Sequence, residues 1–141
     1  MEKFFEKNGE ILYTIARVGL GGMMMTHGWP KLMAGPELWT KIGGAMGNFG
    51  ISFAPAFWGF MASFAEFFGG LFVAIGLAVP IAGSLVVFTM FVAAISHLGR
   101  GEPLMEASHA IESGFGFLAI LAKGAGKYSA CDWIKSRKAR P

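Results

Sequence analysis

The sequence predicts an all-α fold, an integral membrane four-helix bundle, and three observations predict it. Composition is the first: of 141 residues 54% are hydrophobic and 15% charged, with 14 Phe, 9 Met and 21 Gly and a mean hydropathy of +0.53. An average soluble domain is roughly 25% charged, and a water-soluble core of this size could not hide so much apolar surface. The second is the layout, apolar stretches of near-membrane length separated by Gly- and Pro-rich turns. The third is the placement of Arg17, His27, Glu66, His97, His109 and Glu112 inside or at the rim of those stretches. A charge near the bilayer centre costs about 2.5–3.5 kcal/mol on insertion scales, so such residues pair, face the bundle interior and mark a site or a path. At this length the chain is one domain, residues 1–141.

The first span is read at residues 11–28. Before it stand Glu2, Lys3, Glu6, Lys7 and Glu10, Arg17 interrupts the apolar run, and no small-residue cleavage site follows. The segment is therefore expected to stay in the mature protein rather than act as a signal peptide. Residues 29–55 hold Trp39 and the glycines Gly43, Gly44, Gly47 and Gly50. Part of this stretch, 36–48, reads as a short interfacial helix followed by a turn, with an irregular polar loop as the alternative. The second span, 56–79, is the clearest, and Pro80 then permits a tight turn into the third, 81–98. The fourth, 110–123, falls short of the ~20 apolar residues that cross a ~30 Å core. It is expected to tilt, or to be extended by Glu106 and His109 pointing inward.

Basic residues set the orientation. Lys3 and Lys7 precede the first span, and Lys123, Lys127, Lys135, Arg137, Lys138 and Arg140 follow the fourth. The first loop has Lys31 and Lys41 and the third loop Arg100. Both N- and C-termini are thus expected in the cytoplasm, with 124–141 as a basic cytoplasmic tail. The net charge of +3 sits largely in that tail, which suits anionic lipid head groups before nucleic acid. His27, His97 and His109 then fall on the outer side.

Span two has a legible face. Gly59, Ala62, Ser63, Glu66, Gly69, Gly70 and Val73 lie on one side, and Phe60, Phe64, Phe67, Phe68, Leu71 and Ile75 on the other. Small residues around a carboxylate imply a close neighbouring helix, and the Phe stripe implies lipid. Span one repeats this with Thr14, Arg17, Gly21 and Gly28, and span four with Glu112, Gly116 and Ala119. An Arg17–Glu66 pair inside the bundle satisfies both groups. The pair is either architectural, setting helix register, or part of proton or redox chemistry. The histidines titrate near neutral pH and can pass protons or bind metal, but no HxxxH or HxH spacing occurs and no metal site is expected. Each histidine alone reads as an interfacial residue; together with Glu112 they read as a shared site. Lys31 reads as an interfacial anchor or as a member of that cluster. The Met residues, Met23–Met25 among them, read as core or lipid-facing filler. The single cysteine, Cys131, excludes an internal disulfide and a cysteine-ligated cluster within one chain.

In order and spacing these residues resemble the DoxX family of small four-helix membrane proteins. The matching pieces are Arg17-Val-Gly-Leu-Gly, His27-Gly-Trp-Pro-Lys31-Leu, Gly43-Gly-Ala-Met-Gly, Phe57-Trp-Gly, Glu66-Phe-Phe-Gly-Gly, Gly76-Leu and the span ending in His97. The last is Gly124-Ala-Gly126-Lys-Tyr-Ser129 with Asp132. Ala125 stands where the family often has Pro, and Ala130-Cys131 precedes the Asp. The resemblance implies a multi-pass protein of the bacterial inner membrane, coupled to electron transfer into the quinone pool or to its protection. It places Arg17, Glu66 and His97 at the polar heart.

The expected function is therefore a membrane subunit of a quinone-linked oxidoreductase system. Arg17, Glu66 and His97 would be its catalytic groups, with His27, His109, Glu112 and Lys31 holding a quinone. No haem, flavin or iron–sulfur motif is present, so electrons are expected from a partner redox subunit or a soluble redox enzyme. The alternatives are a non-catalytic scaffold that recruits soluble redox or stress enzymes, and a small transporter subunit working as a homo-oligomer.

Overall fold

A computed structural model describes residues 2–139. Among the described residues the chain is helical throughout, with no strand. Helix α1 (Glu2–Met33) is followed by α2 (Pro36–Gly43) and a 3-10 turn (Gly44–Phe49). Helix α3 (Pro55–Ile75) carries a π-helical turn at Ala65–Gly69. Helices α4 (Val79–Gly99), α5 (Leu104–Lys123) and α6 (Ala130–Lys138) complete the chain.

Prolines open the helices. Pro36, Pro55 and Pro80 each occupy the first or second position, where the missing N–H has no intrahelical partner to lose and φ is already helical. The α3–α4 turn is as tight as Pro80 predicts. Gly76 takes φ 73°, its N–H bonds Val73 O at 3.0 Å, and the Leu77 N–H bonds Phe72 O at 2.8 Å. This Schellman closure satisfies the last carbonyls of α3.

The structure differs from the sequence expectation at several helix boundaries: α1 begins at Glu2 rather than 11, and α3 ends at Ile75 rather than 79, which makes Val79 the first residue of α4. Helix α1 reaches past residue 28 to Met33, so Pro30 and Lys31 are helical. Helix α5 begins at Leu104 rather than 110, giving it 20 residues and about 30 Å of length at 1.5 Å per residue. The helix expected at 36–48 is present as α2 with its 3-10 extension.

Helices α1 and α3 run antiparallel and almost touch. A Cβ on Gly21 would lie 2.5 Å from Gly70 O, and one on Gly28 2.5 Å from Phe67 N. Helix α2 seats on α3 by the same device, with Gly43 against Pro55 O and Gly59 against Trp39 O. Helices α4 and α5 pack along their length, and α4 also contacts the π-turn of α3. The core between them holds Met24, Val73, Val86, Met90, Phe117 and Ile120. Gly59, Ser63, Glu66, Gly69, Gly70 and Val73 are buried as their face predicts, while Ala62 of the same face is only partly buried. On α5 the inward residues are Ala107, Ala110, Phe117 and Ile120, whereas Glu112 and Ala119 are exposed. The pattern expected from Glu112, Gly116 and Ala119 therefore fails on its first and last members.

The outer surface is apolar. Ile15, Ile81, Phe88, Phe91 and Phe115 are each more than half exposed, and α3 and α4 are each long and apolar enough to cross a membrane. Lipid removes the cost of such a surface; water would not. The ends of the chain meet: Lys123 Nζ bonds Glu10 Oε1 at 2.6 Å, the Lys127 N–H bonds Glu10 Oε2 at 2.9 Å, and the Tyr13 hydroxyl donates to Gly124 O.

The glycine contacts yield a paired test. Gly28→Ala forces α1 from the Phe67 backbone and is expected to lower stability by about 1–3 kcal/mol, the usual range for overpacking. Gly22→Ala meets nothing within 4 Å and is expected to leave the thermal midpoint unchanged or slightly raised. Thermal unfolding of both variants in one detergent measures the contrast.

Candidate functional site

Glu66 is almost fully buried, at 4% exposure, in the π-turn of α3. A π-turn holds one more residue than an α-turn, so it re-aims the side chains it contains, and it recurs at functional sites. Its carboxylate is met by Lys31: Nζ lies 2.7 Å from both Oε1 and Oε2. Lys31 is helical because α1 continues through Pro30. Trp39 of α2 steadies this end by donating Nε1–H to Lys31 O at 2.9 Å.

The expected Arg17–Glu66 pair does not form. Arg17, 1% exposed, donates Nη1 to Val73 O at 2.9 Å and Nη2 to Tyr128 O at 2.7 Å. The cause is the antiparallel register, which sets Gly28 opposite Glu66 and Gly21 opposite Gly70. Arg17, eleven residues before Gly28 and so about 16 Å from it along α1 at 1.5 Å per residue, then falls opposite the C-terminal end of α3. There it meets the negative end of the helix dipole.

The histidines do not form one cluster. His27 of α1 and His109 of α5 stack with ring centroids 4.2 Å apart. His97 closes α4 elsewhere, against the loop that follows. Its Nδ1 lies 2.5 Å from Glu102 Oε2, while Glu102 Oε1 accepts from Arg100 Nε at 2.6 Å and Arg100 Nη1 donates to Ser96 Oγ at 2.6 Å. Arg100 Nη2 also lies 3.2 Å from that nitrogen, so the carboxylate and the guanidinium both contact Nδ1. Nε2 has no hydrogen-bond partner among the described residues. The Arg100 hydrogen bond, and then that from His97, hold the Glu102 carboxyl down at about 2. Arg100 and Glu102 carried no motif to single them out; only the fold of the loop brings them to His97.

Both polar groups border one cavity of about 740 Å³ between α2, α3 and α4. Lys31 and Glu66 lie at its wall, as do His97, Arg100 and Glu102; the rest is mostly apolar, with Phe57, Trp58, Met61 and Phe88. A largely apolar hollow of this size with a few convergent polar groups is the form of a small-molecule site. His27, His109 and Glu112 are not among its lining residues, and Arg17 is not either. Among the described residues no group of three or more His, Cys, Asp or Glu is placed to hold a metal ion.

The family model described as DoxX matches residues 12–99, more than half of the chain. The chain belongs to the DoxX family. Neither a curated protein nor a solved structure matches it. Family membership and the exposed apolar helices together make it a membrane protein of the DoxX type. The matched region takes in Arg17, Lys31, Glu66 and His97; helix α5 and the tail follow it.

Two outcomes test this geometry. Lys31→Met strands a buried carboxylate and is expected to cost about 1–3 kcal/mol, the penalty of an unsatisfied buried polar group. Lys31→Met combined with Glu66→Leu is expected to recover most of it, read as thermal midpoints. Glu102 is held below its ordinary value, so its contribution to stability is full above about pH 4.5 and is lost as pH falls toward 2. Glu102→Gln is expected to remove that part of the acid dependence while leaving the midpoint at pH 7 lowered, in a pH series of both proteins.

Proposed function

We propose that the chain is the membrane-embedded subunit of a quinone-linked redox system, built as four spans with both termini in the cytoplasm of a bacterial cell. The observation that carries this reading is the cavity: an apolar hollow whose polar groups are proton carriers and donors. Its residues fit the head group. A flat carbonyl-bearing ring needs apolar walls and donors for its oxygens, and Phe57, Trp58 and Phe88 supply the walls. Lys31 Nζ has three N–H groups, two of them engaged by Glu66, and His97 and Arg100 stand at the same wall.

A bound quinone supplies two-electron, two-proton redox chemistry. The chain's own part is to bind, orient and exchange protons. Lys31 donates to a carbonyl oxygen while it keeps its hydrogen bonds to Glu66. Glu66, buried beside it, accepts or returns a proton as the charge in the cavity changes. His97, fixed at Nδ1 by Glu102, exchanges a proton at Nε2. His27 and His109, with rings in contact, and Glu112 one turn further along α5 extend the proton path toward the surface. Arg17 has no catalytic part in this scheme, because it lies away from the cavity. Electrons come from a partner redox subunit or a soluble redox enzyme.

The test is purification in nanodiscs, organic extraction and mass spectrometry for quinone. Stoichiometric quinone is expected in the parent protein. His97→Ala and Glu66→Gln are expected to lose at least about tenfold in affinity, the effect of one hydrogen bond to a ligand, with Glu112→Gln retaining it. A quinone-free protein that carries soluble redox enzymes with it would replace this reading with the scaffold.

A further inference from the structure

The far end of the molecule holds a second hollow, of about 670 Å³, that the proposed function does not use. It is lined by Arg17 and Val18 of α1, Ile75 at the end of α3, and Lys127, Tyr128 and Trp133 of the tail. Arg17 forms its floor in an unusual state. The guanidinium is buried and its two hydrogen bonds go to neutral carbonyls. No carboxylate lies within ion-pair distance of it among the described residues, and Nε has no partner. A buried cation of this kind is costly until an anion compensates it. Gly76 shows that the placement is built in: a Cβ there would lie 2.2 Å from Arg17 Nη1.

What surrounds Arg17 selects the anion. Among the described residues the Lys127 ammonium makes no ion pair within 4 Å, although its backbone N–H holds Glu10 nearby, and the Tyr128 hydroxyl has no hydrogen bond. The Ala130 end of α6 adds the positive end of a helix, with Ser129 capping it through the Asp132 N–H at 3.2 Å. Asp132 is the one carboxylate on the lining, against Arg17 and Lys127. The remaining wall mixes Thr14 and Ser136 with Val18, Ala74 and Ile75, and its apolar side continues outward onto exposed Ile15. Trp133 and Tyr128 are also more than half exposed, the placing of aromatic side chains at a membrane interface. A cationic floor that opens onto an apolar, lipid-facing flank fits an amphiphile with an anionic head.

We propose that this hollow binds the phosphate of an anionic phospholipid. Arg17 compensates the charge from below, Lys127 and Tyr128 reach the phosphate oxygens, and an acyl chain runs along Val18 and Ile75. The bound lipid ties the tail to α1 and α3 at the point where Arg17 already joins them.

The full-length protein in neutral detergent is titrated with phosphatidylglycerol, with phosphatidylcholine, and with inorganic phosphate alone, following lipid retention by native mass spectrometry and the thermal midpoint. Phosphatidylglycerol is expected to bind in stoichiometric amount and to raise the midpoint above phosphatidylcholine. Lys127→Gln, whose side chain makes no hydrogen bond or ion pair among the described residues, is expected to weaken that binding about fivefold, the loss of one lysine–headgroup contact. Lys135→Gln with Lys138→Gln, outside the hollow, is expected to leave it intact. Equal binding of both lipids overturns the proposal, and so does loss of the preference in the α6 pair with Lys127→Gln unaffected, since the attraction would then be diffuse charge on the tail. A midpoint raised as far by phosphate alone, with no lipid retained, would make the ligand the free anion and overturn the lipid assignment.

Discussion

The close approach of α1 and α3 is the constraint from which the rest of the structure follows. Gly21 lies against the Gly70 carbonyl and Gly28 against the Phe67 amide, with no room for a methyl group at either point. In a membrane, where water does not drive helices together, van der Waals contact of this kind is what associates them. Once the glycines interlock, the antiparallel register is set, and with it every polar partner on the two helices. Lys31 falls on Glu66, and Arg17 falls on the end of α3.

That register gives the molecule two polar ends with different work to do. At one end Glu66 is offered to a cavity through a π-turn and neutralised by a half-exposed lysine. A pair of this sort can be opened, because the lysine is not locked in the interior. At the other end a guanidinium gathers carbonyls from α3 and from the tail. Its role in the fold is to close the chain, as Tyr13 does through Gly124 and Glu10 through Lys123. The polar residues of the interior thus divide into those that border the cavity and those that hold the ends together.

Much of this was legible from residue types. The apolar stretches mark most of the helices by hydropathy alone, and Pro80 marks the tight turn between α3 and α4. The buried face of α3 was readable because Gly59, Ser63, Glu66 and Gly70 follow helical spacing. Less legible were features that depend on two segments at once. Helix α1 runs on through Pro30 because α2 docks against its end by way of Trp39. Glu112 reads as inward by its small neighbours, yet Ala107, Ala110 and Phe117 are the residues that α4 receives. Glu102 sits in a loop without motif and gains its part only when the chain folds back on His97.

The sequence by itself determined the class of the protein and the identity of its polar groups. Hydropathy is a sum over residues, and ionisable side chains in apolar stretches are visible wherever the chain goes. Which of those groups meet was decided only by the tertiary structure. Two helices with the same polar residues can slide past one another by a turn, and each position would pair a different cation with Glu66. The glycine contacts select one position, and the π-turn rotates the carboxylate toward it. Neither the interlock nor the extra residue in that turn has a signature in one helix taken alone.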